Sequence, residues 1–320
     1  MNKKAKSMLA VVAVPVVLFI IFSLFIENYN LATLRIIFTQ AVIPTIIGFA
    51  ICYVNAAGMF DLSCGAAVII SAMIGGTLSN QFGLPGLIVG CLCISLLFGA
   101  VNGLVYRLLR IPCLIVSLGL LLIYEILAQK IGLGVSVKIA SDVAVIGKFP
   151  NNLIVLAITA VIFYLLYNRS RISCHIRALG SEELLAGALG VNVAFTKSMT
   201  FVLAGAFLGI ASILQISYAN SITAVSSLSS ISMVFQPLMG VLIAVAIKAW
   251  CEITIGVFIS QLTITMVFNA LIACGLPSTM QDVVLGAMLI AVMGVALNNE
   301  RIKKFFNKHN KRKALNSLQP

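Results

Sequence analysis

Charge is what this sequence has least of. Of its 320 residues, 21 are Lys or Arg and 9 are Asp or Glu, whereas a soluble globular domain of this length carries roughly 80 charged side chains. So few charges cannot cover an aqueous surface, and with 61% hydrophobic residues the apolar excess must face lipid. Histidine is almost missing as well. His175 stands between Arg171 and Arg177, and His309 is near the C-terminus, so no His–Cys or His–carboxylate metal cluster can form within a bilayer. The eight cysteines, Cys52, Cys64, Cys91, Cys93, Cys113, Cys174, Cys251 and Cys274, lack the clustering of a metal or disulfide framework and read as small hydrophobes. Catalysis is therefore not expected, and neither is a cofactor. Gly190 to Ser198 (GVNVAFTKS) ends like a phosphate-binding loop but lacks the second glycine before its lysine, so ATP is not expected to bind this chain.

The formal charge of +12 is confined largely to the ends. Lys3, Lys4 and Lys6 open the chain, and seven basic residues face one acid between Glu300 and Lys313. Such a tail reads as a lipid-contacting or retention signal rather than a nucleic-acid site. Hydropathy predicts ten membrane spans of about 20 residues, near 8–26, 36–55, 62–79, 85–106, 111–130, 151–168, 198–219, 229–247, 253–274 and 279–298. With the N-terminus in the cytoplasm, only Arg35, Lys130, Lys138 and Lys148 among the basic residues fall outside, so the positive-inside rule favours both termini inside. The predicted class is an all-α polytopic membrane protein. Residues 1–298 form a single permease-like domain, 169–197 its cytoplasmic loop, and 299–320 a basic cytoplasmic tail.

Two segments carry local signals. In the loop, Gly180 to Gly190 (GSEELLAGALG) reads as a short helix, with Ser181 as N-cap, Glu182 and Glu183 complementing its positive end, and Gly190 as a left-handed C-cap. Leu184, Leu185 and Ala188 share a face that a protein groove in the cytoplasm, the chain's own helices or lipid would bury. Gly58 to Gly65 (GMFDLSCG) interrupts two apolar runs with an acid, a hydroxyl and glycines, as breaks that line a cavity do. Asp61 either caps the next helix or faces a solute. The interior polar groups are mostly neutral: Gln40, Asn55, Asn102, Ser117, Gln215, Gln236, Gln261 and Asn269. Lining of that kind suits an uncharged hydrophilic solute, although each can also bond a neighbouring helix. Paired intramembrane ionisable groups, which an ion-coupled transporter uses, are scarce. An ion-coupled transporter or channel is the alternative reading.

At these segments the chain resembles the membrane-spanning permeases of ribose- and galactose-type ATP-binding-cassette importers. GMFDLSCGAAVIISAMIGG is similar to their GGIDLSVGS motif. RALGSEELLAGALGVNV resembles their cytoplasmic RAIGGNEEAARLSGINV pattern through Arg177, Ala178, Gly180, Glu183, Ala186, Gly190 and Asn192. LRIPCLIVSLGLL resembles PPFIVTLG through Pro112, Ile115, Ser117, Leu118 and Gly119. The resemblance, over about residues 35–220, implies a multi-pass subunit of the bacterial cytoplasmic (inner) membrane of about ten helices. Its implied partners are a second permease, cytoplasmic ATP-binding subunits and an extracytoplasmic solute-binding protein. It further implies that Arg177, Gly180, Glu182, Glu183, Leu184, Leu185 and Gly190 form the ATPase-coupling segment. Asn55, Gly58, Asp61, Ser63, Gly65 and Asn102 are expected to line the translocation path of a small polar solute, a monosaccharide or similar compound.

The chain departs from the family at two places. Ser226 to Ala244 (SSLSSISMVFQPLMGVLIA) has lost the family's glycines, and Glu125 stands where an arginine is usual. Both favour pairing with a non-identical second permease over a homodimer, because two copies would set two Glu125 carboxylates in related positions.

Overall fold

The structure is a computed structural model describing residues 3–25, 29–109, 111–132, 136–248 and 250–275, with isolated positions 280, 283, 284, 286–288, 290 and 294. The expected tenth span and the basic tail lie outside the continuous described residues. Ten α-helices are described: α1 (Lys3–Phe25), α2 (Leu31–Ala56), α3 (Cys64–Leu109), α4 (Cys113–Gly132), α5 (Asn151–Arg169), α6 (Arg171–Ser181), α7 (Glu183–Ala188), α8 (Val193–Ala219), α9 (Ser232–Ala246) and α10 (Ile253–Ala273). Seven helical stretches are long and apolar enough to cross a membrane, α9 only together with the turn before it (Ser229–Ala246), and the apolar part of α1 covers Val11–Phe25. The architecture is all-α and polytopic.

The 46-residue α3 contains both spans expected over its length. They meet at Gly83, whose φ of 63° and ψ of −148° break the helical path, with Pro85 just beyond. Pro85 has no N–H to continue the ladder. The halves fold back on each other, so that a Cβ on Gly90 would lie 2.9 Å from the Gly75 Cα. The second half then packs on α8 through the small residues seen in the sequence. Gly99 and Gly103 approach the Phe201 and Ser198 carbonyls, and Ser95 donates to the Gly205 carbonyl at 2.7 Å. Between two helices in lipid such contacts replace the hydrophobic effect as the source of association.

Aromatic packing welds α2, α5 and α8. The Phe49 and Phe163 rings stack at 4.4 Å, and Tyr53 meets Phe163, Tyr167 and Phe207. At one end of the helices a two-residue strand, β1 (Val137–Lys138), pairs antiparallel with β2 (Ser221–Ile222) beyond α8, with Val137 opposite Ile222. From β2 the chain runs without α-helix to Ser232, through left-handed Ser227 (φ 59°) and Leu228 (φ 64°) and a single 3-10 turn, Ser229–Ile231. The expected span at 229–247 is accordingly shorter as an α-helix: α9 has 15 residues.

Candidate functional site: a closed polar network below an open cleft

The break between α2 and α3 is organised by its own acid. Asp61 Oδ1 accepts from the Ser63 amide at 2.8 Å and the Ser63 hydroxyl at 2.6 Å. The Ser63 carbonyl receives the Ala67 N–H at 2.9 Å. Ser63, rather than Asp61, therefore occupies the N-cap position, while Asp61 fixes it from two residues back. Asn102, from the second half of α3, donates to Asp61 Oδ2 at 3.2 Å and to the Ser63 hydroxyl oxygen at 2.7 Å. Tyr124 of α4 closes the chain by donating to Asn102 Oδ1 at 2.6 Å. All four are buried. Burial pushes the Asp61 carboxyl above the ordinary carboxylate range, and the donors from Ser63 and Asn102 oppose that shift.

Three of the six residues expected on the path thus form one network. Asn55 stands beside it, lining with Met59, Asp61 and Val234 a cavity of about 10 Å³, close to the space one water needs. Its Nδ2 makes no hydrogen bond among the described residues. Gly65 presses on the connector before α9, and a Cβ there would collide with the Ser230 carbonyl oxygen. Gly58 takes a left-handed φ of 73°, which a side chain would strain.

Glu125, one residue beyond Tyr124, has a role that the sequence did not disclose. It is 2% exposed and accepts from the Leu228 amide (3.0 Å), the Ser230 amide (2.9 Å) and the Ser230 hydroxyl (2.6 Å). It holds the non-helical connector before α9. The expectation that two Glu125 carboxylates repel across a subunit interface loses its basis, because the carboxylate turns into its own chain. Tyr124 and Ser230 were also missed; nothing in their local sequence separates them from ordinary span residues.

The loop after α5 departs from its expected form. The short helix expected over 180–190 is present as α7 but begins only at Glu183, and Gly180 and Ser181 instead close the preceding α6. Ser181 is not an N-cap; its hydroxyl donates to the Arg177 carbonyl at 3.1 Å. Glu182 takes the cap position with extended backbone and no side-chain bond. The far end matches expectation. Left-handed Gly190 (φ 85°) lets its own N–H reach the Gly187 carbonyl at 3.0 Å and that of Val191 the Ala186 carbonyl at 3.1 Å, a Schellman closure. Glu183 pairs with Lys197 of α8 at 2.7 Å, and Arg177 lies 5.3 Å over the Tyr167 ring. Ala186 is buried, whereas Leu184 and Leu185 are 84% and 60% exposed.

The two motif segments touch. A Cβ on Gly58 would lie 3.6 Å from the Gly180 Cα, and one on Gly180 would collide with the Ala56 carbonyl oxygen.

A cleft of about 370 Å³ opens between α2, α8, α9 and α10, lined by Gln40, Ile43, Pro44, Ile47, Gln215, Tyr218, Ser232, Met233, Gln236, Pro237 and Phe268. Asn269 donates to Gln40 Oε1 at 2.7 Å, and Gln236 to Thr265 Oγ1 at 3.2 Å. Gln261 donates instead to the Pro237 carbonyl at 2.9 Å, and Ser117 to Leu114 of its own helix at 3.0 Å.

A family model described as branched-chain amino acid transport system / permease component matches residues 33–293. An autoinducer 2 import system permease protein of Enterobacter sp. (strain 638) is 26% identical over 298 residues, 90% of this chain and 84% of its own length. A galactofuranose transporter permease protein of Escherichia coli (strain K12) is 28% identical over 185 residues, 56% of this chain and 54% of its own. A galactose/methyl galactoside import permease protein of Haemophilus influenzae is 25% identical over 220 residues, 61% of this chain and 66% of its own. No solved structure matches.

Proposed function

The chain belongs to the family described as branched-chain amino acid transport system / permease component, and on that premise we propose that it carries an oxygen-rich polar solute, a monosaccharide or similar compound, along the α2–α9 face. It is a multi-pass permease subunit of an import system in the bacterial inner membrane, not an enzyme. The relatives named for autoinducer 2, galactofuranose and galactose support the solute class. About ten spans, with both termini cytoplasmic, complete the topology. The single domain covers residues 1–298, with 169–197 as coupling loop and 299–320 as tail. ATP-binding subunits and a solute-binding protein are the partners the family implies. A second permease completes the path, and the divergent 226–244 segment favours a non-identical one.

One observation carries the mechanism: the backbone contact of Gly180 with Ala56 and Gly58. The exposed Leu184 and Leu185 are offered to an ATP-binding subunit. Closure of those subunits on ATP pushes α7, which the Schellman turn and the Lys197–Glu183 pair hold to α8. The movement reaches the α2–α3 break through Gly180. There the Asp61–Ser63–Asn102–Tyr124 network forms a closed constriction beside Asn55, and its rearrangement admits the solute. The ion-coupled alternative is disfavoured because the two carboxylates buried among the described residues, Asp61 and Glu125, are occupied by donors of their own chain.

The test is reconstitution in vesicles with the ATP-binding subunits and the solute-binding protein. ATP-dependent uptake of a labelled monosaccharide is expected. Uptake that follows an ion gradient without ATP overturns the reading, and uptake with this chain as sole permease overturns non-identical pairing.

A further inference from the structure

We infer that the cleft between α2, α8, α9 and α10 is the solute-holding subsite, selective for an uncharged molecule bearing several hydroxyls. The inference rests on the permease reading and adds to it a place and a chemistry. Three side-chain amides from three helices, Gln40, Gln215 and Gln236, converge on one open space. An amide has two donor hydrogens and an acceptor oxygen with two lone pairs, so Gln40 and Gln236 keep capacity for a hydroxyl beside their bonds to Asn269 and Thr265. Among the described residues that line the cleft none is charged, so an ionic solute would leave its hydration without compensation.

The prolines add acceptors. Pro44 in α2 and Pro237 in α9 are both interior to their helices, and both line the cleft. Proline has no N–H, so the carbonyls four residues earlier, on Gln40 and Met233, are relieved of their helical donors. Those two residues line the same cleft. Two residues whose carbonyls lose a helical donor therefore border one space, and in lipid such a loss is tolerated where the space is protein-lined or wet. Phe268 supplies an apolar wall for the C–H face of a ring.

The cleft leads onward. Along α2 its lining runs through Ile47, and the one-water cavity begins at Ile51 and passes Asn55 to Asp61. Along α9 the two share neighbouring residues, Pro237 and Leu238. Asp61 of the closed network borders that small cavity, which begins one helical turn along α2 from the cleft.

The test uses the reconstituted complex with labelled galactose, labelled fructose and autoinducer 2 as probes. Wild-type uptake reports on the permease reading alone. Gln215→Leu and Gln236→Leu are each expected to lower uptake at least tenfold at unchanged complex yield, and Gln215→Asn, which keeps the amide, to retain a third or more. Uptake within twofold of wild type in both leucine variants overturns the subsite, as does equal loss in Gln215→Asn and Gln215→Leu. Should no probe be carried, N-ethylmaleimide labelling of Gln215→Cys decides: slowing by any of the three supports the subsite, and an unchanged rate overturns it.

Discussion

The Cα of Gly180 in α6 sits so near the carbonyl oxygen of Ala56 at the end of α2 that no Cβ fits between them. Gly180→Ala is expected to displace α6 from the α2–α3 break and lower ATP-dependent uptake at least tenfold. Gly119→Ala in α4 is the control, since its Cβ would meet nothing within 4 Å, and uptake should stay within twofold. Parallel assays of both variants in vesicles check the pair.

Leu184 is 84% exposed, so Leu184→Asp removes little from the chain's own packing. Expression and melting temperature should hold, while co-purification of the ATP-binding subunits and uptake are lost. Undiminished co-purification together with undiminished uptake would remove α7 from the coupling role.

Glu125→Ala orphans two backbone amides and a hydroxyl around Ser230. An unsatisfied buried donor costs about 1–3 kcal/mol, so the variant should lose at least that much stability and show earlier proteolysis within 223–231. Glu125→Gln keeps one acceptor oxygen and should fall between alanine and wild type. Thermal denaturation of the purified complex measures the order.

Tyr124→Phe deletes the hydroxyl that donates to Asn102 Oδ1 while keeping the ring against Phe98 at 4.3 Å. About 1–3 kcal/mol of stability should be lost, the cost of a buried acceptor left without its donor. The same thermal denaturation reads it.

Ser63 is fully buried in the closed network. In a background lacking Cys64, Ser63→Cys should resist maleimide without nucleotide and react when ATP is bound, if the network is the constriction that opens. Absence of labelling in every nucleotide state counts against a path role for this break.

The covalent order of residues determined the environment and the outline. Scarce charge and long apolar runs fix lipid as the solvent, because backbone and side chains without water must be satisfied within helices. The positions of most helices, the left-handed Gly190 and the interrupted stretch at Gly58 were legible because each depends on neighbours within a few residues. The split of the loop into α6 and α7 was not legible, because Ser181 bonds back to Arg177 instead of capping forward, and local propensity favours both.

Only the tertiary structure decided what the polar residues face. Asp61 and Asn102 are 41 positions apart and Glu125 and Ser230 105 apart, and no periodicity links such pairs. Glu125 looked like a charge offered to a partner until the connector before α9 folded onto it. Gln40, Gln215 and Gln236 were indistinguishable in sequence from Gln261, which spends its amide on a helix carbonyl. The physical reason is the same in each case: a buried polar atom must be paired, and which atom pairs it is settled by how helices distant in sequence come to lie side by side.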